Sequence, residues 1–197
     1  MFGIVNADAN LNQARGSWVS KAAVYSLSST LAGITVGALL GAAGATLPPP
    51  IRLACASLLG VLAAALGTVE LGARRLRPIQ CDRETPQRWL GAGPLRWAFR
   101  NGAALGIGAT TRIGFWLWYV VPVAALLVGR PALGAIVYGV YGLVRGGAVW
   151  PLILSLARQP GATPLADRLL LYAPVARAIA AGQLLVVGLA VAVALGF

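Results

Sequence analysis

Histidine and acidic residues are scarce in this chain. It contains no histidine, two cysteines, and five Asp or Glu among 197 residues. A typical zinc site needs about four ligands such as Cys or His, and a Ser–His arrangement needs a histidine. The few carboxylates are scattered, and neither a P-loop nor a dinucleotide-binding motif occurs. We therefore expect no metal site and no cofactor, and we do not expect an enzyme.

Charged residues of both signs are few. They make up 11% of the chain, whereas a soluble domain carries about 25%. Hydrophobic residues make up 58%, and the mean hydropathy is +0.78. Because so few charges could not cover the surface of a globular protein, lipid must be the solvent for much of the chain. The composition predicts an all-α fold, a polytopic transmembrane helical bundle.

The positive charge is concentrated in residues 74–100, which we call the basic loop. Only Asp82 and Glu84 oppose its seven arginines. The arginines are Arg74, Arg75, Arg77, Arg83, Arg88, Arg96 and Arg100. They lie beside apolar blocks and not along one amphipathic face, so they indicate a cytoplasmic loop and not a nucleic-acid-binding surface. We expect this loop to contact the anionic headgroups of a lipid bilayer.

Part of the basic loop has the pattern of a short helix. Proline at the first helical position follows glycine at residues 93–94. After that start, Leu95 and Phe99 share one helix face, and Arg96 and Arg100 share another, since residues four apart are neighbours on a helix. The loop is therefore predicted to be an ordered segment that lies on the membrane.

The chain is predicted to be one membrane domain. Its segments are a cytoplasmic N-terminus (1–21), a first helix pair (22–73), the basic loop, a second helix group (101–157), a polar break with a short helix (158–178) and a last span (179–197). The apolar run after Lys21 exceeds the roughly 7–15 residues of a signal-peptide core, so we expect it to remain as a span. Five spans place the N-terminus and the basic loop in the cytoplasm, in a multi-pass protein of the cytoplasmic (inner) membrane.

The third apolar block leaves two alternatives. It runs from Asn101 to Gly129 and is interrupted by Arg112 and Pro122. One helix through the whole block gives five spans and places Arg112 near mid-membrane. A separate half-length or re-entrant element from Asn101 to Thr111 gives six.

A weak internal repeat is also visible. Each half of the chain has a long apolar span, a proline-containing turn and a glycine-bearing span followed by arginines. Transporter folds often contain such repeats. A membrane composition shared by both halves explains the pattern equally well.

Glycine recurs at helical spacing in the first apolar block. Gly33, Gly37 and Gly41 are four residues apart. Glycines at this spacing let two helix backbones approach closely, which predicts a packing face. The alternative is a smooth surface along which helices slide.

Two charged residues within predicted spans are candidates for an ion pair. Glu70 lies near the end of the second span, and Arg145 lies about two-thirds along the fourth. A charge at the bilayer centre costs at least about 2.5–3.5 kcal/mol, so it usually has a partner or faces water. Both spans cross the membrane in the same direction, so we predict a Glu70–Arg145 ion pair in the cytoplasmic half of the membrane. Structural and functional roles for this pair both remain open.

A second group of candidates surrounds Arg112. Thr110 and Thr111 precede it, and Trp116 follows. A cation beside hydroxyl and aromatic groups can recognise an anionic substrate, which makes these four residues candidates for a substrate path. The alternative is that Arg112 extends to the interface and the aromatic residues form an interfacial belt.

The two cysteines are predicted to lie on opposite membrane faces. Cys55 is near the outer end of the second span, and Cys81 is in the basic loop. A disulfide needs Cα atoms within about 7 Å, so they should not form one. They are the redox candidates of the chain, and incidental free cysteines are the alternative.

Four short segments between Arg88 and Arg145 resemble a group of small actinobacterial-type integral membrane proteins. They are Arg88-Trp89-Leu90, Gly106-Ile107-Gly108-Ala109-Thr110-Thr111, Gly134-Ala135-Ile136 and Gly142-Leu143-Val144-Arg145. That group is similar to the cytochrome c biogenesis and DsbD-type transmembrane thiol carriers, which pass electrons through two cysteines within membrane helices. The chain lacks the proline-flanked cysteine pattern of that family, so the resemblance assigns no catalytic residue.

Three functions fit these patterns. The first is a small transporter-like or exporter-like protein for an anionic or thiol-bearing solute. The second is a non-catalytic subunit that anchors or assembles a larger membrane complex, with other membrane subunits or further copies of itself as partners. The third is a membrane thiol–disulfide relay that uses Cys55 and Cys81.

Overall fold

All regular structure in the described part of the chain is helical. The computed structural model describes residues 15–72, 93–108, 116–150 and 173–194. Within them lie six α-helices: α1 (Arg15–Ala45), α2 (Pro49–Leu71), α3 (Pro94–Ile107), α4 (Leu117–Val128), α5 (Pro131–Gly147) and α6 (Ala173–Ala194). The predicted all-α class therefore holds for these residues.

Proline and glycine set several of the helix boundaries. Helices α2, α3 and α5 each begin on a proline, whose fixed φ suits the first helical turn and whose missing N–H would have no partner there. Helix α3 ends at Gly108 (φ 80°) and α4 ends at Gly129 (φ 61°), both left-handed. Glycine adopts this conformation without a Cβ penalty, so each helix ends there.

The third apolar block is divided between two helices. Helix α3 ends after Ile107, where the Gly108 N–H donates to the Leu105 carbonyl at 3.1 Å. The next helix, α4, begins at Leu117 and continues through Pro122 to Val128. A single helix through the whole block is therefore wrong. The half-length alternative, from Asn101 to Thr111, coincides with α3 over residues 101–107, and the number of spans, five or six, stays a prediction. Helix α3 also begins inside the basic loop, six residues before Arg100, where that loop is predicted to end.

Two helices are long and apolar enough to cross a membrane. They are Val19–Ala45, within α1, and α2. Most of their apolar surface is exposed: only 33% and 17% of their most apolar windows are buried within the protein. The core helix of a soluble protein would be mostly buried, so these two helices indicate association with a membrane.

The described residues divide into two compact units, and both α1 and α5 contribute to each. The first unit comprises the described parts of residues 1–33, 82–111 and 139–167. Its core is formed by Ala22 and Tyr25 of α1, Trp97 and Ala98 of α3, and Val149 after α5. Tryptophan and tyrosine supply most of the volume here.

The second unit comprises the described parts of residues 34–81, 112–138 and 168–197. Helices α2 and α6 run antiparallel, because Gly67 lies against Ala181 while Gly60 lies against Gly188. Ala63 of α2, Val120 of α4 and Leu184 of α6 form the core. The three helices meet through small and branched aliphatic side chains.

Candidate functional site

In the first unit, two serines of α1 join it to α5. Ser29 Oγ donates to the Gly142 carbonyl at 2.9 Å, and Ser26 Oγ donates to the Gly146 carbonyl at 3.0 Å. Trp150 Nε1 in turn donates to Ser26 Oγ at 3.0 Å. Ser29 is fully buried and Ser26 is 8% exposed. These hydrogen bonds satisfy hydroxyls that would otherwise be costly to bury.

The same stretch of α1 lies against α3. A Cβ added at Gly102 would meet the Tyr25 carbonyl and Ser28, and one added at Gly106 would meet the Ser29 carbonyl. Helix α1 is therefore approached closely by glycines from two helices. The contact between α1 and α5 has a sequence signal: Ser26 and Ser29 are three residues apart, and the glycines opposite them, Gly142 and Gly146, are four apart. This contact is not among the predictions made from the sequence.

Arg145 interacts with a tyrosine on its own helix. Its Nη1 donates to the hydroxyl of Tyr141, one turn earlier on α5. Its guanidinium carbon also lies 5.6 Å from the centre of the Tyr141 ring, within the range of a cation–π interaction. Because Tyr141 is only 5% exposed, the arginine head is anchored beside the buried part of the first unit.

Glu70 lies in the second unit, near the end of α2. Its Oε2 is buried and has no hydrogen-bond partner among the described residues. Glu70 and Arg145 thus belong to different units, and the proposed ion pair between them stays a prediction. Among the residues that the structure describes, no group of three or more Cys, Asp or Glu side chains could hold a metal ion.

The glycine row of α1 meets α5 within the second unit. A Cβ at Gly37 would meet the Gly134 carbonyl, and one at Gly41 would lie 2.6 Å from the Arg130 carbonyl. Neither position leaves room for a side chain, so the two backbones are in direct contact. Gly33 is buried as well, although it belongs to the first unit.

Arg52 packs against the end of α4. Its guanidinium fills the space beside Gly129, where an added Cβ would collide with it. A cation at a helix C-terminus interacts favourably with the helix dipole and with the last carbonyl groups. The Nε atom of Arg52 is nevertheless buried and finds no hydrogen-bond partner in the part of the chain that the structure describes. No local pattern in the sequence predicts this contact.

Helix α3 exposes a basic and apolar surface at its N-terminal end. Leu95, Arg96, Phe99 and Arg100 line one shallow cleft there. Leu95 is 50% and Phe99 56% exposed, while Trp97 points inward. The predicted apolar and basic faces are therefore adjacent and outward-facing, which suits contact with both acyl chains and charged headgroups.

The substrate-path candidates lie mostly outside the described residues. Arg112, Thr110 and Thr111 fall between α3 and α4, in residues 109–115. Trp116, the remaining candidate, packs against Tyr119 with ring centres 5.7 Å apart and ring planes tilted by 45°. It also packs against the Ala63–Val120–Leu184 core of the second unit. At this position the structure gives Trp116 a packing role.

Of the two redox candidates, Cys55 is a free and exposed thiol on α2. Cys81 lies outside the described residues. Their separation, and therefore the thiol relay, stays a prediction.

No family model matches this chain, and no curated protein and no solved structure is significantly similar to it. The resemblance to transmembrane thiol carriers thus stays a prediction from the residues alone. The helices and contacts described above are the basis for assigning a function.

Proposed function

We propose that this chain is a small multi-pass protein of the cytoplasmic membrane that moves an anionic or thiol-bearing solute. The interruption of the third apolar block between α3 and α4 carries this proposal. A membrane-spanning helix needs about 20 residues, whereas α3 has 14 and α4 has 12. Discontinuous membrane helices form the substrate sites of many transporters.

The residues in that interruption suit an anion. The dipole at the N-terminus of a helix favours negative charge, and transporters use the ends of discontinuous helices to hold charged groups. The intervening sequence supplies Arg112 with Thr110 and Thr111. We propose that the arginine pairs with the solute and that the threonine hydroxyls donate hydrogen bonds to it.

A flux assay in proteoliposomes tests this proposal. The purified protein would be reconstituted and assayed for uptake of a panel of carboxylates, phosphates and small thiols. Replacing Arg112 by Ala should lower uptake about tenfold or more, since a hydrogen bond to a charged group is worth roughly 1.5–3 kcal/mol. Arg112→Lys should retain part of the activity, because it retains the charge.

Arg130→Ala is the matched control, because Arg130 is exposed at the start of α5. It should leave uptake unchanged. Transport that is absent for the whole panel, or equal in the Arg112→Ala and wild-type proteins, would refute the substrate path.

The proposed orientation places the basic loop in the cytoplasm, where Arg96 and Arg100 contact anionic headgroups. Thr46 is exposed in the turn between α1 and α2, on the opposite side in this topology. A Thr46→Cys variant that also carries Cys55→Ser retains native Cys81. A membrane-impermeant maleimide applied to intact spheroplasts should label residue 46 and should reach Cys81 only after permeabilisation. The reverse pattern would invert the topology.

Tight packing favours a second function, a non-catalytic subunit that anchors or assembles a membrane complex. At Gly37, Gly134 and Gly142 the backbones of α1 and α5 are in direct contact. A solute has no room between the two helices at these positions. Purification in mild detergent distinguishes the two functions. Stoichiometric copurification of other membrane subunits, together with absent flux, would support the anchoring role.

A further inference from the structure

Helix α6 has one packed side and one open side. Ala181 and Leu184 are fully buried, and Gly188 lies against α2. The other side exposes a row of small and branched residues around one polar residue. The members of this row are Val175, Ala178, Ile179, Gln183, Val186 and Leu189. We call this row, with Gly182 in its middle, the outer face of α6.

Packing within the described part of the chain does not require a glycine at residue 182. A Cβ at Gly188 would lie 2.9 Å from the Gly60 carbonyl, and one at Gly67 would lie 2.9 Å from the Ala181 carbonyl, so both of these glycines allow α2 and α6 to approach. A Cβ at Gly182 would meet nothing within 4 Å. Glycine inside a helix costs about 1 kcal/mol relative to alanine. Close approach of a helix from outside the chain would account for it.

Gln183 is the second unexplained feature of this face. Its side chain is exposed near the middle of the 22-residue helix α6. Within the described residues its amide forms no hydrogen bond. An amide that faces hydrocarbon without a partner is costly, and glutamine in membrane helices commonly bonds across to another helix. The open glycine and the polar residue next to it therefore both indicate an external helix.

We propose that the outer face of α6 binds the same face of a second copy of this chain. Gly182, with Ala178 one turn earlier, would lie at the crossing point, where small residues let the backbones approach. The two Gln183 amides would form hydrogen bonds with each other. This inference rests on the membrane placement proposed above and is independent of transport.

A second copy fits this face better than an unrelated helix. Two copies inserted in the same direction are related by a two-fold axis along the membrane normal, which places each residue at the same depth as its equivalent. Each Gln183 then meets the Gln183 of the other copy. The carboxamide is both donor and acceptor, so two of them satisfy each other. A different partner would need its own polar side chain at the matching depth.

Cysteine crosslinking in native membranes tests the contact. In a background that carries Cys55→Ser and Cys81→Ser, Val186→Cys or Ile179→Cys places a thiol on the outer face. Leu62→Cys is the matched control, because Leu62 is 50% and Ile179 57% exposed but Leu62 lies on α2. Mild oxidation should give covalent dimers for residues 179 and 186 and none for residue 62. Equal crosslinking at all three positions would overturn the proposal.

Two further substitutions measure the interaction itself. Energy transfer between labelled copies in liposomes, followed as lipid dilutes the protein, gives the dimer dissociation constant. Gln183→Leu removes both hydrogen bonds between the two copies and should weaken dimerisation about eight- to three-hundredfold, the range expected for two interhelical hydrogen bonds. Gly182→Ala should weaken it as well and leave the fold intact, because the added Cβ would meet nothing within 4 Å in the described part of the monomer.

The remaining outcomes separate this proposal from the membrane placement. A wild-type protein that stays monomeric in liposomes, or that pairs only with a different subunit, would refute the α6 dimer and leave the membrane placement standing. Release of the protein from membranes by alkaline carbonate would refute both.

Discussion

Glycines bring helix backbones close together in both units, and the described part of the first unit adds serine hydrogen bonds to this contact. In the first, serine hydroxyls of α1 donate to backbone carbonyls of α5, and Trp150 donates to one of the same hydroxyls. In the second, Gly37 and Gly41 of α1 lie directly against the backbone of α5 and the residue before it. Both arrangements occur on the same pair of helices, which allows the two kinds of contact to be compared.

Glycine contacts and serine hydrogen bonds are two interactions that can hold helices together in lipid, where the hydrophobic effect between helices is weak. Lipid tails are as apolar as leucine, so burying leucine between two membrane helices gains little. Close backbone contact gains dispersion energy over many atoms. A hydroxyl–carbonyl bond gains direction and register, and its measured value averages only about 0.6 kcal/mol. We therefore expect the glycine contacts to dominate stability and the serine contacts to refine it.

The largest effect should come from adding a single methyl group at the glycine contact. Gly37→Ala and Gly134→Ala each place a Cβ into the facing backbone. Overpacking of this kind costs about 1–3 kcal/mol, because the helices must separate. The measurement is unfolding by SDS in mixed micelles, followed by circular dichroism. The double variant should lose less than the sum of the two, since the first methyl group already separates the helices.

Gly147→Ala is the control for this prediction. The substitution is the same and lies on α5, but its Cβ would meet nothing within 4 Å. It should be neutral or slightly stabilising, because alanine favours the helix. If Gly147→Ala destabilised the protein as much as Gly37→Ala, the close contact would not be the cause.

A smaller effect is expected at Ser26, which has two partners. Ser26→Ala removes the bond to the Gly146 carbonyl and also leaves the Trp150 N–H without that acceptor. An unsatisfied buried donor adds a penalty of about 1–3 kcal/mol, reduced here because Trp150 is only partly buried. A double-mutant cycle with Trp150→Phe isolates the tryptophan contribution. A coupling free energy of zero between the two sites would mean that this hydrogen bond has no effect on stability.

The sequence predicts the helices of this chain better than their contacts. The proline at residue 94 and the glycine at 108 are local signals, and they mark the first and last boundaries of α3. The apolar composition also predicts helices with exposed apolar surface, because this prediction depends on no contact between residues distant in the chain. Which helices meet depends on residues distant in the chain, and a single sequence does not show those pairings.

The candidate site illustrates that limit. The charge of Arg145 predicts an acidic partner, and that pair stays a prediction; the contact with Tyr141, one turn away, which provides both an acceptor and a ring face, is not predicted. Ser26 and Ser29 do not stand out in the sequence, because serine is uncharged and its hydropathy differs little from that of the residues around it. The glycine row is conspicuous, because spacing by four residues is visible without knowledge of the partner helix.

The smallest expected effect provides the sharpest comparison, since it involves two adjacent serines. Ser29 Oγ donates to α5, whereas Ser28 Oγ donates at 3.0 Å to the Tyr25 carbonyl of its own helix. Ser29 is 0% and Ser28 4% exposed, so burial is matched. Ser29→Ala should cost about 0.6 kcal/mol, the average for an interhelical bond in a membrane. Ser28→Ala should cost close to nothing, because a back-bond within a helix contributes little and alanine favours the helix. Equal losses for the two variants, measured by the same SDS unfolding, would show that the hydroxyls act through local helix geometry, and the serine hydrogen bonds would then not distinguish the stability of the two units.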